Sequence, residues 1–255
     1  MSGFVVLIPA RMSSSRLPRK ALADIGGKPM VVRAAEQAAK SRAERVAVAT
    51  DHEEIAAVCR LHGVETVMTA DTHESGTTRL AEAARLLGLP PETIVVNVQG
   101  DEPLIDPELI DRIAEVLENS RAPMATAAHE IHDFDDFANP NVVKTVLDKN
   151  GNALYFSRAP IAFPRDSMRE NKRELPQHAP PLRHIGLYAY RAGFLQEYAQ
   201  MSVSPLENDE SLEQLRVLWH GFPIAVDTVA RVPAAGVDTQ EDLERVRAAV
   251  RTAYG

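Results

Sequence analysis

The 255-residue chain has a single cysteine, Cys59, so it cannot form an internal disulfide, which fits a reducing compartment. Aromatic residues are scarce at 5%, with one tryptophan. No apolar run approaches the ~18–20 residues needed to span a bilayer. Positive charge is also in deficit: 28 basic against 36 acidic residues leave a net charge of −8, which argues against general nucleic-acid binding. The opening Met-Ser-Gly-Phe-Val-Val-Leu-Ile-Pro-Ala has no basic leader region and enters an apolar strand pattern at once, so a cytoplasmic protein without a secretory signal is expected. Several catalytic signatures are missing too. There is no Gly-x4-Gly-Lys-Ser/Thr loop, no Gly-x-Gly-x-x-Gly fingerprint, no Gly-x-Ser-x-Gly elbow and no Cys-x2-Cys or His-x3-His pair. P-loop hydrolases, dinucleotide-dependent dehydrogenases, serine hydrolases of that kind and histidine–cysteine metal sites are therefore unsupported.

What is present is a β-α rhythm. Strands are expected at Phe4–Ala10, Arg45–Thr50, Val64–Thr69 and Thr93–Val98, and helices at Pro29–Ser41, His52–His62, Thr77–Leu87 and Pro107–Asn119. Apolar strands without alternation imply a mostly parallel sheet covered on both faces. Past residue 124 the rhythm changes. Val142–Asp148 and Ala153–Arg158, joined through Asn150-Gly151, read as an antiparallel hairpin. Ala159–Leu182, with five prolines, reads as a long loop, and His184–Arg191 as a strand. Ser204-Pro205-Leu206-Glu207 is a capping box opening a helix to Trp219, followed by a strand at Pro223–Ala230 and a helix over Asp238–Tyr254. The expectation is one α/β domain: a nucleotide-binding core at 1–123, an antiparallel lobe at 124–203 and a return to the core at 204–255.

Residues 11–20 place Arg11, Arg16, Arg19 and Lys20 with Ser13, Ser14 and Ser15 directly after the first strand, with no acid among them. At the strand end of an open α/β sheet such a loop suits a polyphosphate. A second strand ends in Gln99-Gly100-Asp101-Glu102-Pro103. There Gly100 permits close approach of a ligand, and Asp101 is placed to hold Mg²⁺. Asp106 is the better cap for the helix at Pro107, which leaves Asp101 for function. Asp238 reads first as a helix cap, with Thr239–Asp242 resembling a capping box. Ser75, before a helix, is a cap or an anion contact. His184, Gly186 and Tyr188 share one strand face at period two, and Glu213-Gln214 interrupts an apolar helix series.

Taken together, these motifs resemble the 3-deoxy-manno-octulosonate (Kdo) cytidylyltransferases, or CMP-Kdo synthetases, over nearly the whole chain. The resemblance is carried by Phe4–Met30, Ala49-Thr50-Asp51, Ser75-Gly76-Thr77, Asn97–Pro103, Asn139-Pro140-Asn141, Tyr155–Arg158, Arg183–Gly186, Ser204–Glu207, Leu212–Arg216 and Gly236–Thr239. It implies a Rossmann-like nucleotide-diphospho-sugar transferase fold with a sugar-binding and dimerisation lobe. It also implies a Mg²⁺-dependent reaction of CTP with Kdo, serving lipopolysaccharide synthesis, in a cytoplasmic homodimer. Under this resemblance Arg11, Ser15, Arg16 and Lys20 hold the triphosphate, and Pro9, Ala10, Ser75, Arg79 and Gln99 lie about the nucleotide. Gln99, His184, Tyr188, Glu213 and Gln214 hold the sugar acid, and Asp101 and Asp238 bind metal. Arg11, Lys20, Asp101 and Asp238 would be catalytic. The chain departs from the family pattern at Arg19, where glycine is usual, at Ala21, usually proline, at Thr78, commonly acidic, and over Asn208–Ser211. A cytidylyltransferase for another acidic sugar, such as a sialic acid or amino-Kdo, is the nearest alternative. A non-catalytic nucleotide-binding regulator is another.

Overall fold

Phe4–Ala10 and Ile94–Asn97 are buried on both faces, which explains why neither strand alternates polar with apolar residues. The fold around them is a computed structural model that describes residues 3–14, 17–230, 234 and 236–254. The first half runs β1 (Phe4–Ala10), β2 (Asp24–Ile25), β3 (Lys28–Pro29), α1 (Met30–Ala38), β4 (Arg45–Thr50), α2 (Glu53–Leu61), β5 (Glu65–Met68), α3 (Gly76–Leu86), β6 (Ile94–Asn97) and α4 (Pro107–Asn119). The second runs β7 (Met124–Glu130), α5 (Phe134–Ala138), β8 (Lys144–Leu147), β9 (Ala153–Ser157), α6 (Arg165–Arg169), β10 (Leu182–Arg191), α7 (Ala192–Tyr198), α8 (Pro205–Glu210), α9 (Gln214–Trp219), β11 (Ile224–Thr228) and α10 (Gln240–Tyr254).

The main sheet has the order β11-β7-β10-β6-β1-β4-β5, with the β8–β9 hairpin attached through β10. β1 pairs in parallel with both β4 and β6. β10 runs antiparallel between β6 and β7, and β11 is parallel to β7. Side chains alternate between two cores. Val6, Ile8 and Val96 pack with Ile110 and Ile113 on one face, while Leu7 and Val95 pack with Leu80, Leu195 and Leu215 on the other. A smaller cluster joins Leu17, Ile25 and Met30 to Val237, Leu243, Val246 and Val250, so α10 is fastened to the segment that follows the basic loop. The chain leaves β1 toward β4 and β5 on one side and returns to β6 on the other. The carboxyl ends of β1 and β6 are thus the switch point, where ligands bind in such sheets.

Several expectations are corrected. β7 was not expected: Met-Ala-Thr-Ala-Ala-His-Glu has little β-propensity, and the slot between β10 and β11 makes it a strand. Pro29 precedes α1 as its N-cap instead of lying in its first turn. Only Gly151 of the Asn-Gly pair has positive φ, at 80°. Its N–H bonds Asp148 O at 3.1 Å, and Asp148 N bonds Asn152 O at 2.8 Å, so the hairpin closes through a longer loop than a two-residue turn. The expected helix from Ser204 to Trp219 is broken at Ser211, whose φ and ψ are both 51°. The loop after Ser157 contains α6. Among the described residues, no helix is long and apolar enough to cross a membrane.

Cys59 is fully buried on α2, and burial pushes its thiol up to about 11. Native protein is expected to resist thiol alkylation at pH 7.5, and one equivalent should react after denaturation. Rapid labelling of native protein would contradict this packing.

Candidate active site

A cleft of about 340 Å³ opens at the switch point. Its walls come from the end of β1 (Pro9, Ala10, Arg11), the basic loop (Ser13, Ser14, Lys20, Ala21), the start of α3 (His73–Gly76 and Arg79), the segment after β6 (Gln99–Asp101), Glu213 and Asp238. Ten sequence-selected residues thus meet in one place: Pro9, Ala10, Arg11, Lys20, Ser75, Arg79, Gln99, Asp101, Glu213 and Asp238. Ser15 and Arg16 lie outside the described residues. Gly100 lines the cleft as expected, and a Cβ there would stand 3.1 Å from Pro9 O, so the glycine also lets the β6 end close on β1.

At the acidic end, Lys20 Nζ lies 2.5 Å from Asp101 Oδ2 and 3.2 Å from Asp238 Oδ1. Val237 N–H donates to Asp101 O at 2.9 Å, and a Cβ on Gly236 would approach that oxygen to 3.4 Å. This backbone docking carries Asp238 to Asp101. The reciprocal pair Thr239 and Asp242 caps α10: Asp242 N–H reaches Thr239 Oγ1 at 3.2 Å, and Thr239 N–H reaches Asp242 Oδ2 at 2.9 Å. Among the described residues no three His, Cys, Asp or Glu side chains converge as a metal cage. Two hard carboxylate donors converging on one cation, here an ammonium, do suit Mg²⁺, which fills its remaining positions with water and phosphate oxygens. Beside them the Glu102 carboxyl has a buried oxygen without a partner, and burial, then the Asp101 charge, pushes it up to about 8.

The departures at Arg19 and Thr78 acquire causes. Arg19 has φ 57°, in the left-handed region where glycine is unstrained, and its guanidinium pairs with Glu54. Thr78 sits in the first turn of α3, its N–H bonded to the Ser75 cap at 3.2 Å. Arg79 borders the cleft, but its guanidinium is buried against Asp51 Oδ2 at 2.8 Å and Thr69 Oγ1 at 2.7 Å. Sequence reasoning gave no role to Asp51 or to His73. Asp51 follows β4 directly, and that strand-end position was the available signal. His73 Nε2 meets Glu82 Oε2 at 2.6 Å, and no sequence pattern joined the two.

His184, Tyr188 and Gln214 do not line this cleft. They form a set joined to it through Glu213. The His184 and Tyr188 ring centroids are 5.5 Å apart, and Tyr188 Oη donates to Gln214 Oε1 at 3.3 Å. The register shift between Ile185 and Tyr188 is held by Thr126 Oγ1, 3.0 Å from Ile185 O and 2.8 Å from Leu187 O. That hydroxyl has one proton to donate, so it accepts from His184 Nε2–H at 3.0 Å and leaves Nδ1 as an acceptor. Gln214 Nε2 is buried without a partner. Glu213 accepts from Thr77 Oγ1 at 3.0 Å, and the protein around the cleft mouth raises its carboxyl pKa by desolvation.

An open α/β sheet with cations and paired carboxylates at its switch point suits a nucleotide's phosphates, and comparison with known proteins shows the class to be nucleotidyltransferase. A family profile for cytidylyltransferases matches residues 5–228. A 3-deoxy-manno-octulosonate cytidylyltransferase of Neisseria meningitidis serogroup A is 73% identical over 99% of this chain and 100% of its own length. That of Herminiimonas arsenicoxydans is 60% identical over 96% and 97%. A solved structure of CMP:2-keto-3-deoxy-manno-octonic acid synthetase complexed with CTP superposes with a TM-score of 0.89 at 39% identity, covering 99% of this chain and all of that one. The chain belongs to the 3-deoxy-manno-octulosonate cytidylyltransferase family.

Desolvation among the aromatic rings holds His184 down to about 3, against an ordinary 6.5. The unfolded chain then takes a proton that the fold refuses, so this group lowers stability as pH falls from about 6.5 toward about 3. His184→Gln is expected to make the loss of urea stability between pH 7 and pH 4.5 shallower than in wild type. An unchanged slope would count against a neutral, desolvated imidazole.

Proposed function

We propose that the protein transfers a cytidylyl group from CTP to Kdo, giving CMP-Kdo and pyrophosphate, with Mg²⁺. The anomeric hydroxyl oxygen of the sugar forms a bond to the α-phosphorus, the bond from that phosphorus to the bridging oxygen breaks, and the hydroxyl proton passes to solvent. The observation that carries this reading is the meeting of Lys20 with Asp101 and Asp238 in a cleft that also holds Arg11 and Glu213. Arg11 and Lys20 face the place where charge builds on departing pyrophosphate, and fixed cations there stabilise that charge without reorganising. Mg²⁺ held by Asp101 and Asp238 would neutralise phosphate charge and ease ionisation of the sugar hydroxyl. Pro9, Ala10, Ser75, Arg79 and Gln99 border the nucleotide, with Ser15 and Arg16 completing the loop. Gln99, Glu213, Gln214, Tyr188 and His184 take the sugar acid. The unpartnered Gln214 Nε2 and the acceptor left on His184 are hydrogen-bonding capacity that hydroxyls or a carboxylate would use.

By this reading the chain acts as a cytoplasmic homodimer supplying activated sugar to lipopolysaccharide synthesis. Supporting the dimer, β9 pairs only with β8 among the described strands, and Leu154 on β9 and Phe163 in the next loop are exposed. Light scattering is expected to give about twice 27.9 kDa, and Leu154→Asp to shift the mass toward one chain.

The deciding assay is CTP- and Mg²⁺-dependent pyrophosphate release across a panel of sugar acids. Kdo is expected to outperform sialic acids and amino-Kdo, and no release with Kdo ends this reading. Asp101→Asn is expected to lower turnover by on the order of 100-fold or more while leaving thermal unfolding intact. His184→Ala should raise KM for the sugar about tenfold with little change for CTP. A selective loss of CTP affinity would place His184 elsewhere.

A further inference from the structure

Glu213 and Gln214 follow a helix break that their own neighbourhood does not demand, because residues 207–216 contain neither glycine nor proline. α8 ends at Glu210, Ser211 takes the left-handed conformation, and α9 begins at Gln214. The break is held from outside the segment as well as across it. The Glu210 carboxylate accepts from Ser157 Oγ at 2.6 Å and from Arg158 N–H at 2.8 Å, and the Glu210 carbonyl accepts from Arg158 Nε at 2.6 Å. Arg158 is itself anchored. Its Nη1 donates to Pro140 O at 3.0 Å, and its carbonyl accepts from the wholly buried Lys144 Nζ at 2.6 Å. Lys144 also donates to Asn139 O at 2.8 Å and Val142 O at 2.5 Å. Arg216 on α9 spans the break, binding Glu207 on α8 through two hydrogen bonds of 2.8 and 2.6 Å.

We infer that Glu210 is a positioning residue for sugar recognition. Its clasp on Ser157 and Arg158 sets the phase in which α9 restarts, and so aims Glu213 into the cleft and Gln214 at Tyr188. The same strand end serves the other half of the set, since Phe156 meets the His184 ring edge-on at 4.8 Å between centroids. The end of β9 therefore holds both sides of one subsite in register. The inference rests on the assignment of Glu213, Gln214 and His184 to the sugar. A clasp that only stapled the fold would lower stability and affect both substrates alike. A positioning clasp acts on one substrate, because misplacing a contact by about 1 Å can cost up to ~100-fold.

The test compares Glu210→Ala, Glu210→Gln and Ser157→Ala in the full-length protein. Glu210→Ala is expected to raise KM for Kdo by ~10–100-fold while KM for CTP stays within about twofold. Glu210→Gln keeps an oxygen acceptor and should recover most of the loss, and Ser157→Ala should shift KM for Kdo in the same direction by a smaller factor. Equal changes for both substrates, or an unchanged KM for Kdo, overturn the inference. Amide hydrogen exchange gives a readout that needs no substrate. Exchange across 211–216 should quicken in Glu210→Ala and not across α4, and an unchanged rate overturns the inference even if the wild type proves inactive on Kdo. If Glu210→Ala does not fold, Ser157→Ala decides by the same two readouts.

Discussion

Asp101 and Asp238 carry like charges, and two carboxylates brought together repel unless a cation lies between them. Lys20 is that cation. Its ammonium touches one oxygen of each, and the Val237 N–H to Asp101 O bond holds the backbones in step. Three chain segments therefore depend on one charge: the turn after the basic loop, the end of β6 and the approach to α10. The packing of Leu17, Ile25 and Met30 against Val246 and Val250 gives this contact an apolar footing. The ionic contact itself lies at a partly solvated surface, where such pairs contribute little, so the footing carries much of the attachment.

The cleft and the His184 set answer to different physics. The cleft is charged and open, built from strand ends and loops that a parallel sheet delivers to one edge. The His184 side is aromatic and partly buried. Its groups stay neutral because desolvation penalises their charged forms, and its backbone irregularity is held by Thr126. Glu213 stands where the two meet, tied to α3 through Thr77. In the proposed transfer between a polyanion and a sugar acid, one environment would spread negative charge and the other distinguish hydroxyls.

Much of this was legible because the local signals agreed with the global fold. β4 and α4 occupy the spans that pattern and capping indicate, with Asp106 as the cap of α4. Four cations in a loop of an acidic chain stood out, as did a carboxylate that no helix needed for capping. What stayed hidden was set by distant partners. β7 is a strand because β10 and β11 flank it, and the break at Ser211 is tied through Glu210 to the distant Ser157 and Arg158. The purely local reading of Asp238 was a cap; family resemblance, not spacing, pointed to metal. Arg19 likewise looked like added charge in a loop, when the tighter constraint is a backbone angle that glycine meets without strain.

The order in which the chain is made gives α10 a particular consequence. Every strand of the main sheet is complete by Thr228, yet one of the two carboxylates at Lys20 arrives only with Asp238. The sheet's strands can thus all be in place while its acidic centre is half built, until the segment carrying Asp238 joins it. A chain cut short before Asp238 would lack that second carboxylate and the apolar cluster that seats it.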